Sequence, residues 1–195
     1  MVVRHPRSVL LVSGAVFVAL TIAVTLEWSA VSDQAVRGAL LSVAPRGVVA
    51  VMRIVNRLGD WKILLPATAL LFAVFPRART HWWLWLAVMI VAPAMEGSLK
   101  LLVGRARPED VSMGFPSGHA TAAAAYFGSV IYLSESLASP AVRALVRAAA
   151  VVAIVLVAIA RVVLRAHWPS DALAGIALGL AIASAAALIS SARRA

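Results

Sequence analysis

The chain has no cysteine, which excludes disulfides, thiolate metal centres and thiol nucleophiles. It is also short of charge. Asp, Glu, Lys and Arg make up 13% of its 195 residues, where a soluble domain carries roughly 25%. What charge there is leans one way, with 18 Lys and Arg against 8 Asp and Glu and a formal net charge of +10. The arginines are scattered around apolar blocks rather than gathered into a basic stripe, which argues against nucleic acid as a partner. Anionic lipid head groups and phosphate-bearing substrates account for the excess better. No internal repeat or low-complexity linker stands out, so the chain reads as a single membrane-embedded domain over 1–195.

What abounds is apolar surface. Hydrophobic residues are 63% of the chain and its mean hydropathy is +0.94, which marks an integral membrane protein. Six stretches qualify as spans, about 8–26, 61–76, 82–103, 117–137, 142–164 and 169–190. They predict an all-α fold, a polytopic bundle of six transmembrane helices. The first follows a basic M-V-V-R-H-P-R and has the look of a secretory signal. Its length suits the ~20 residues of a crossing better than the ~7–15 of a signal core, and it is read as a retained span. Pro66 is placed to bend the second span, and Pro93 is tolerable within the third. Trp82, Trp83 and Trp85 suit an aromatic anchor at a membrane surface. Small residues in 120–125 and 174–187 suit close helix packing in lipid.

Between the first two spans lies 34–57, with Arg37, Arg46, Arg53 and Arg57 among valines and leucines. Arg46, Arg53 and Arg57 share one helical face, and Pro45 separates that piece from what precedes it. Four arginines argue against a crossing and predict an interfacial amphipathic segment with its charges toward head groups. A surface anchor is the plainer role, substrate capture from the membrane plane the functional one. Arg4 with Arg7, Arg77 with Arg79, Arg143 with Arg147 and Arg193 with Arg194 mark alternate ends of the six spans. Short basic connections face the cytoplasm, so both termini are expected inside an inner (plasma) membrane.

The same alternation gathers the polar residues. Lys100 and Arg107 follow span three, Ser117 and His119 open span four, Arg161 closes span five, and His167 and Asp171 lie before or at the start of span six. All share the membrane face opposite the termini, which turns dispersed residues into one candidate site. Lys100, Arg107 and Arg161 are cations suited to phosphate oxygens, the arginines bidentately. Pro116-Ser117-Gly118 opens a helix, where Ser117 can cap and free N–H groups face an anion. Of His119 and His167, one can attack phosphorus while the other protonates the departing oxygen. Asp171 would hold one imidazole in its productive tautomer. A metal on His119, His167 and Asp171 is the rival reading, but three neighbouring cations repel a divalent ion and suit a phosphate. Glu96, four residues before Lys100, is placed to pair with it. Asp60, in L-G-D-W, reads as the cap of the second span.

These residues resemble the type 2 phosphatidic acid phosphatase superfamily, which includes vanadium haloperoxidases and glucose-6-phosphatase. Its K-x6-R-P motif matches Lys100 through Arg107-Pro108, and its P-S-G-H matches Pro116 to His119. Its S-R-x5-H-x3-D matches Arg161, His167 and Asp171, with Ala160 in place of the serine. The resemblance covers about 96–179 and implies a metal-independent, cofactor-free phosphatase working through a phosphohistidine. It assigns His167 as nucleophile, Asp171 as its partner and His119 as acid to the leaving group. Lys100, Arg107, Ser117, Gly118 and Arg161 would bind the phosphoryl group. Ala160 removes one hydroxyl donor, and a substitute contact is expected because one lost donor costs ~100- to 1,000-fold where nothing replaces it.

The resemblance also ranks substrates: undecaprenyl diphosphate first, then phosphatidic acid and phosphatidylglycerol phosphate. The partners expected are thus an anionic phospholipid or isoprenoid phosphate and the surrounding membrane lipids. A transporter or flippase-like binder of an anionic lipid would use the same basic pocket without needing both histidines and Asp171.

Overall fold

The computed structural model describes residues 5–192. Nine α-helices run through them: α1 (Pro6–Thr25), α2 (Ala30–Ser42), α3 (Arg46–Asn56), α4 (Trp61–Val74), α5 (Pro76–Thr80), α6 (Trp82–Val103), α7 (Gly118–Leu133), α8 (Pro140–Val163) and α9 (Pro169–Ala192). Four of them, α1, α6, α8 and α9, are long and apolar enough to cross a membrane alone.

The other two expected spans are shorter than the sequence suggested. The stretch 61–76 is helical only to Val74, because Phe75 turns extended and Pro76 opens α5. Arg79 then folds back, donating to the Phe72 carbonyl at 2.6 Å and the Ala73 carbonyl at 3.0 Å, which closes the end of α4. The stretch 117–137 is α-helical over the 16 residues Gly118–Leu133 and then tightens into a 3-10 turn. There Arg147 donates to the Ser134 hydroxyl at 2.9 Å and, with Arg143, pairs with Glu135. Sixteen residues rise only ~24 Å, less than the ~30 Å apolar layer.

The segment 34–57 is helical and divides where Pro45 indicates. It begins earlier, at Ala30, and breaks at Pro45 into α2 and α3, which meet at 115° like a broken or re-entrant span. Arg46, Arg53 and Arg57 are exposed as expected. Arg37 is not a head-group anchor: it pairs with Glu109 and lies 5.6 Å from the centre of the Trp168 ring. Arg7 opens α1, while Arg4, Arg193 and Arg194 lie outside the described residues.

Short, alanine-rich α7 is the hub, packed on α9, α8, α6 and α4, while α1 covers α9 and α3 leans on α8. Ala120, Ala123, Ala124 and Ala125 are fully buried in it. The contact with α9 is made by small residues: a Cβ on Gly175 would fall 2.6 Å from the Ser117 carbonyl, and one on Gly179 2.7 Å from the Ala125 amide. Two hydroxyls fix the hub to its neighbours, Tyr126 to the Ala67 carbonyl at 2.9 Å and Tyr132 to Ser184 at 2.8 Å. Outward-facing Val12, Val16, Ile90, Leu101, Val151 and Val155 are exposed and present an apolar surface that lipid would cover.

Overpacking at a backbone contact cannot be relieved by a rotamer change. Gly179→Val should therefore destabilise the fold by at least ~1–3 kcal/mol, whereas Gly38→Ala, with open space around it, should be neutral or stabilising by ~0.5–1 kcal/mol. Thermal unfolding of both variants in detergent checks the pair.

Candidate active site

Helix α6 ends at Gly104, whose φ of 64° is a left-handed cap that brings its amide to the Lys100 carbonyl at 2.9 Å. The loop beyond folds on itself: the Arg107 amide donates to the Ser112 carbonyl at 3.1 Å, and the Gly114 amide to the Arg105 carbonyl at 2.7 Å. Asp110 secures the tip by accepting from the Ser112 amide at 3.2 Å and its hydroxyl at 2.6 Å. Glu109 ties the loop to Arg37 of α2 and Arg165 before α9. The Arg165 hydrogen bond, aided by Arg37, holds the Glu109 carboxyl below its usual range. Lys100 pairs with Glu96 one turn earlier, and a Cβ on Gly118 would lie 2.8 Å from the Glu96 carboxylate. Glu96, which the sequence places only beside Lys100, thus also stands against the Pro116–Gly118 turn.

Phe115, Pro116 and Ser117 are buried, and the Phe115–Pro116 bond is cis. Ser117 occupies the N-cap position of α7, but its hydroxyl makes no capping bond. The hydroxyl is buried and without a hydrogen-bond partner. Its amide instead donates to the Asp171 carbonyl at 3.0 Å, fixing the second motif to the third. His119 follows, one residue into the helix. Gly59 lets the preceding turn approach it: a Cβ there would sit 2.7 Å from the His119 carbonyl. Asp60 caps α4 through the Lys62 amide at 3.0 Å, as expected.

At the end of α8, Arg161 is buried and donates to the Asn56 amide oxygen at 2.7 Å, while its Nε has no partner. The chain turns through Arg165 at φ 61°, and the His167 amide returns to the Arg161 carbonyl at 3.2 Å. His167 is 1% exposed and Asp171 not at all. Asp171 Oδ2 accepts from the Trp168 amide at 3.0 Å, the reach-back half of a capping box. The same oxygen faces His167 Nδ1 at 3.5 Å.

All eight residues expected in the site therefore lie at one end of the bundle. The charges of Arg161, Asp60, His167 and Lys100 act on His119, and those of Arg161, Asp171 and Arg107 act on His167. Burial pushes the His167 imidazole below its usual value, against an opposing pull from Asp171.

The PAP2 superfamily model matches residues 81–195. The chain belongs to the PAP2 superfamily. It is similar to decaprenylphosphoryl-5-phosphoribose phosphatase from two strains of Mycobacterium tuberculosis, 30% identical over 147 residues covering 70% of this chain and 77% of the relative. It also matches the crystal structure of a transmembrane PAP2 type phosphatidylglycerolphosphate phosphatase from Bacillus subtilis. There the TM-score is 0.80 at 27% identity, over 100% of this chain and 96% of the other. With its apolar helices, this PAP2 protein is a multi-pass membrane lipid phosphatase, a hydrolase acting on phosphoric esters.

The sequence reading missed four polar residues at this PAP2 site. Asn56 holds Arg161. Arg105 donates to Asp171 Oδ1 at 2.8 Å and to Asp33 at 2.7 Å, and Ser170 donates to Asp33. Arg105 sits two residues before Arg107, inside the K-x6-R-P stretch. Nothing in local spacing joins Asp33 or Asn56 to residues more than a hundred positions away.

A cap serine replaced by alanine ordinarily costs ~1 kcal/mol. Because the Ser117 hydroxyl caps nothing and is buried without a partner, Ser117→Ala should not lower the detergent melting temperature and should raise it by several degrees. A calorimetric scan of the variant checks this.

Proposed function

We propose that this PAP2 enzyme cleaves a terminal phosphate from a lipid at the outer face of a bacterial-type inner membrane, by way of a phosphohistidine on His167. The observation that carries the reading is the buried His167–Asp171 pair set among Arg161, Arg107 and Lys100, with the unpartnered Ser117 hydroxyl nearby. With Nδ1 facing the Asp171 carboxylate, the His167 proton belongs on Nδ1 and Nε2 is left as the nucleophile. Nε2 forms a bond to phosphorus as the bond to the lipid oxygen breaks, and His119 gives that oxygen its proton. His119, now neutral, takes a proton from water as the water oxygen attacks phosphorus. The P–N bond breaks, and inorganic phosphate leaves.

Lys100, Arg107, Arg161, the Ser117 hydroxyl and the Gly118 amide would hold the phosphoryl oxygens. The three cations supply the positive charge that a metal would otherwise bring, so no metal enters the reaction. Six crossings, with α4 and α7 completing a set begun by α1, α6, α8 and α9, would leave both termini in the cytoplasm. The relatives' names bring phosphatidylglycerol phosphate and decaprenylphosphoryl-5-phosphoribose level with undecaprenyl diphosphate as substrates. Phosphatidic acid comes behind them.

Phosphate release in detergent micelles containing EDTA tests the reading, with all four lipids presented side by side. Wild type should turn over at least one of them. His167→Ala should show none above background, and His119→Ala should lose ~10²–10⁴-fold. No release from any lipid, with binding retained, would favour a transporter-like binder, and loss of activity in EDTA would overturn the metal-free site.

The nucleophile works neutral and is lost as pH falls through its folded pKa. Burial lowers that pKa, so the acid limb of kcat/KM set by His167 should lie below the ordinary histidine value of about 6.5. A pH–rate profile taken down to about pH 4 would locate it against that value.

A further inference from the structure

Asp171 is itself held by charged groups on the side away from His167. Arg105 donates through Nη1 to Asp171 Oδ1 at 2.8 Å and to the Ser170 hydroxyl at 2.6 Å, and through Nη2 to Asp33 Oδ2 at 2.7 Å. Asp33 also accepts from the Ser170 amide at 2.8 Å and from its hydroxyl at 2.6 Å. Asp33 is 2% exposed. It stands on α2, the first arm of the bent helix pair before α4. A buried ion cluster is weak evidence of stability, since an apolar replacement of similar shape is often as stable or more so. Its geometry points to another role.

We propose that Arg105 and Asp33 are positioning residues for the phosphohistidine chemistry. Arg105 fixes the Asp171 carboxylate by Oδ1 so that Oδ2 stays turned to His167 Nδ1. Asp33 offsets the Arg105 charge, so that Asp171 keeps its full negative pull on the imidazole. Two carboxylates around one guanidinium leave the cluster at a net −1; without Asp33 it would be neutral. Docking of α2 is thereby a condition for a competent His167–Asp171 pair, and the segment before the second span belongs to the catalytic apparatus.

This rests on the reading of His167 as nucleophile, so the first readout needs no substrate. Full-length protein labelled with ¹⁵N-histidine is titrated by NMR in micelles, the His167 signal being assigned by its loss in His167→Gln. The groups facing His167 are Asp171 from α9, Arg161 from α8, His119 from α7 and Arg107 from the loop, and the variants keep them all. Arg105→Met removes a cation and should raise the His167 pKa. Asp33→Asn removes an anion, keeps an acceptor for Ser170, and should lower it. Shifts of opposite sign read the charge balance that the two residues set on the imidazole, and turnover of the same variants reads the positioning.

In turnover, each should lose ~10–100-fold in kcat, as outer-shell partners typically do, with KM within about threefold. Arg105→Lys should recover part of the loss. Shifts of one sign, or none, in folded variants would overturn the proposal, as would an intact kcat with altered KM. Should Arg105→Met fail to fold, an acid shift in Asp33→Asn with partial loss in Arg105→Lys carries the claim, and an unmoved titration in Asp33→Asn defeats it. A wild type that hydrolyses no lipid would sink the substrate reading alone, since the titration still decides the positioning.

Discussion

The hydrogen bond from the Ser117 amide to the Asp171 carbonyl, 3.0 Å long, joins the first turn of α7 to the first turn of α9. It exists because the two helices approach backbone to backbone. At Gly175 a side chain would fall 2.6 Å from the Ser117 carbonyl and 2.9 Å from Ala120. In lipid no hydrophobic force draws helices together, so close packing of small residues has to do it. The same alanines and glycines that look like bland filler in the sequence therefore set the distance between the Pro116–Gly118 turn and the His167–Asp171 pair. Short α7 can be only 16 residues long because its walls are other helices rather than lipid.

Charge management follows from that enclosure. A cation in a low-dielectric interior needs compensation, and the chain has few acids to give. Glu96 answers Lys100, Asp33 and Asp171 share Arg105, Glu109 serves Arg37 and Arg165, and Glu135 serves Arg143 and Arg147. Arg161 is oriented differently, by the neutral amide of Asn56, and the Nε of Arg107 leans on the Met113 carbonyl at 3.4 Å. Neutral acceptors orient a guanidinium without cancelling its charge. An anionic substrate is the natural complement of cations held in that way, and the excess of basic over acidic residues is in part a record of it.

Much of this was legible in the chain because motif residues lie at helix ends, where helical spacing and membrane parity dictate position. Lys100 with Arg107, Ser117 with His119, and Arg161 with His167 and Asp171 were placed together by counting crossings, and the Asp60 cap and Glu96–Lys100 pair by local spacing. Two of the expected spans are shorter than drawn, yet the motif residues still gather at one end of the bundle, since that depends on the order of turns rather than on helix length. What failed to show was tertiary. Asp33 sits in the short polar run Ser32-Asp33-Gln34, which nothing local marks for the site, and only the fold of α2 against α9 brings it to Ser170. Arg37 lies on the near side of the Pro45 break, apart from Arg46, Arg53 and Arg57, but no local pattern announces its contacts with Trp168 and Glu109.

Ala160 shows how such a site can lose one donor. The residue is fully buried and its side chain has nothing polar to offer, so whatever a serine does beside Arg161 in the family pattern is left to other groups here. A phosphoryl group presents three oxygens. On the proposed reading they meet two guanidinium groups, a lysine, the Ser117 hydroxyl and the unbonded amides at the start of α7. The Ser117 hydroxyl is the telling member, because it occupies a cap position without spending its hydrogen bond on the helix. A buried hydroxyl left unsatisfied costs about 1–3 kcal/mol, a penalty removed when an anion accepts from it. Such a group favours the bound state over the empty one, so the loss at position 160 falls on a site in which one buried hydroxyl still awaits an acceptor.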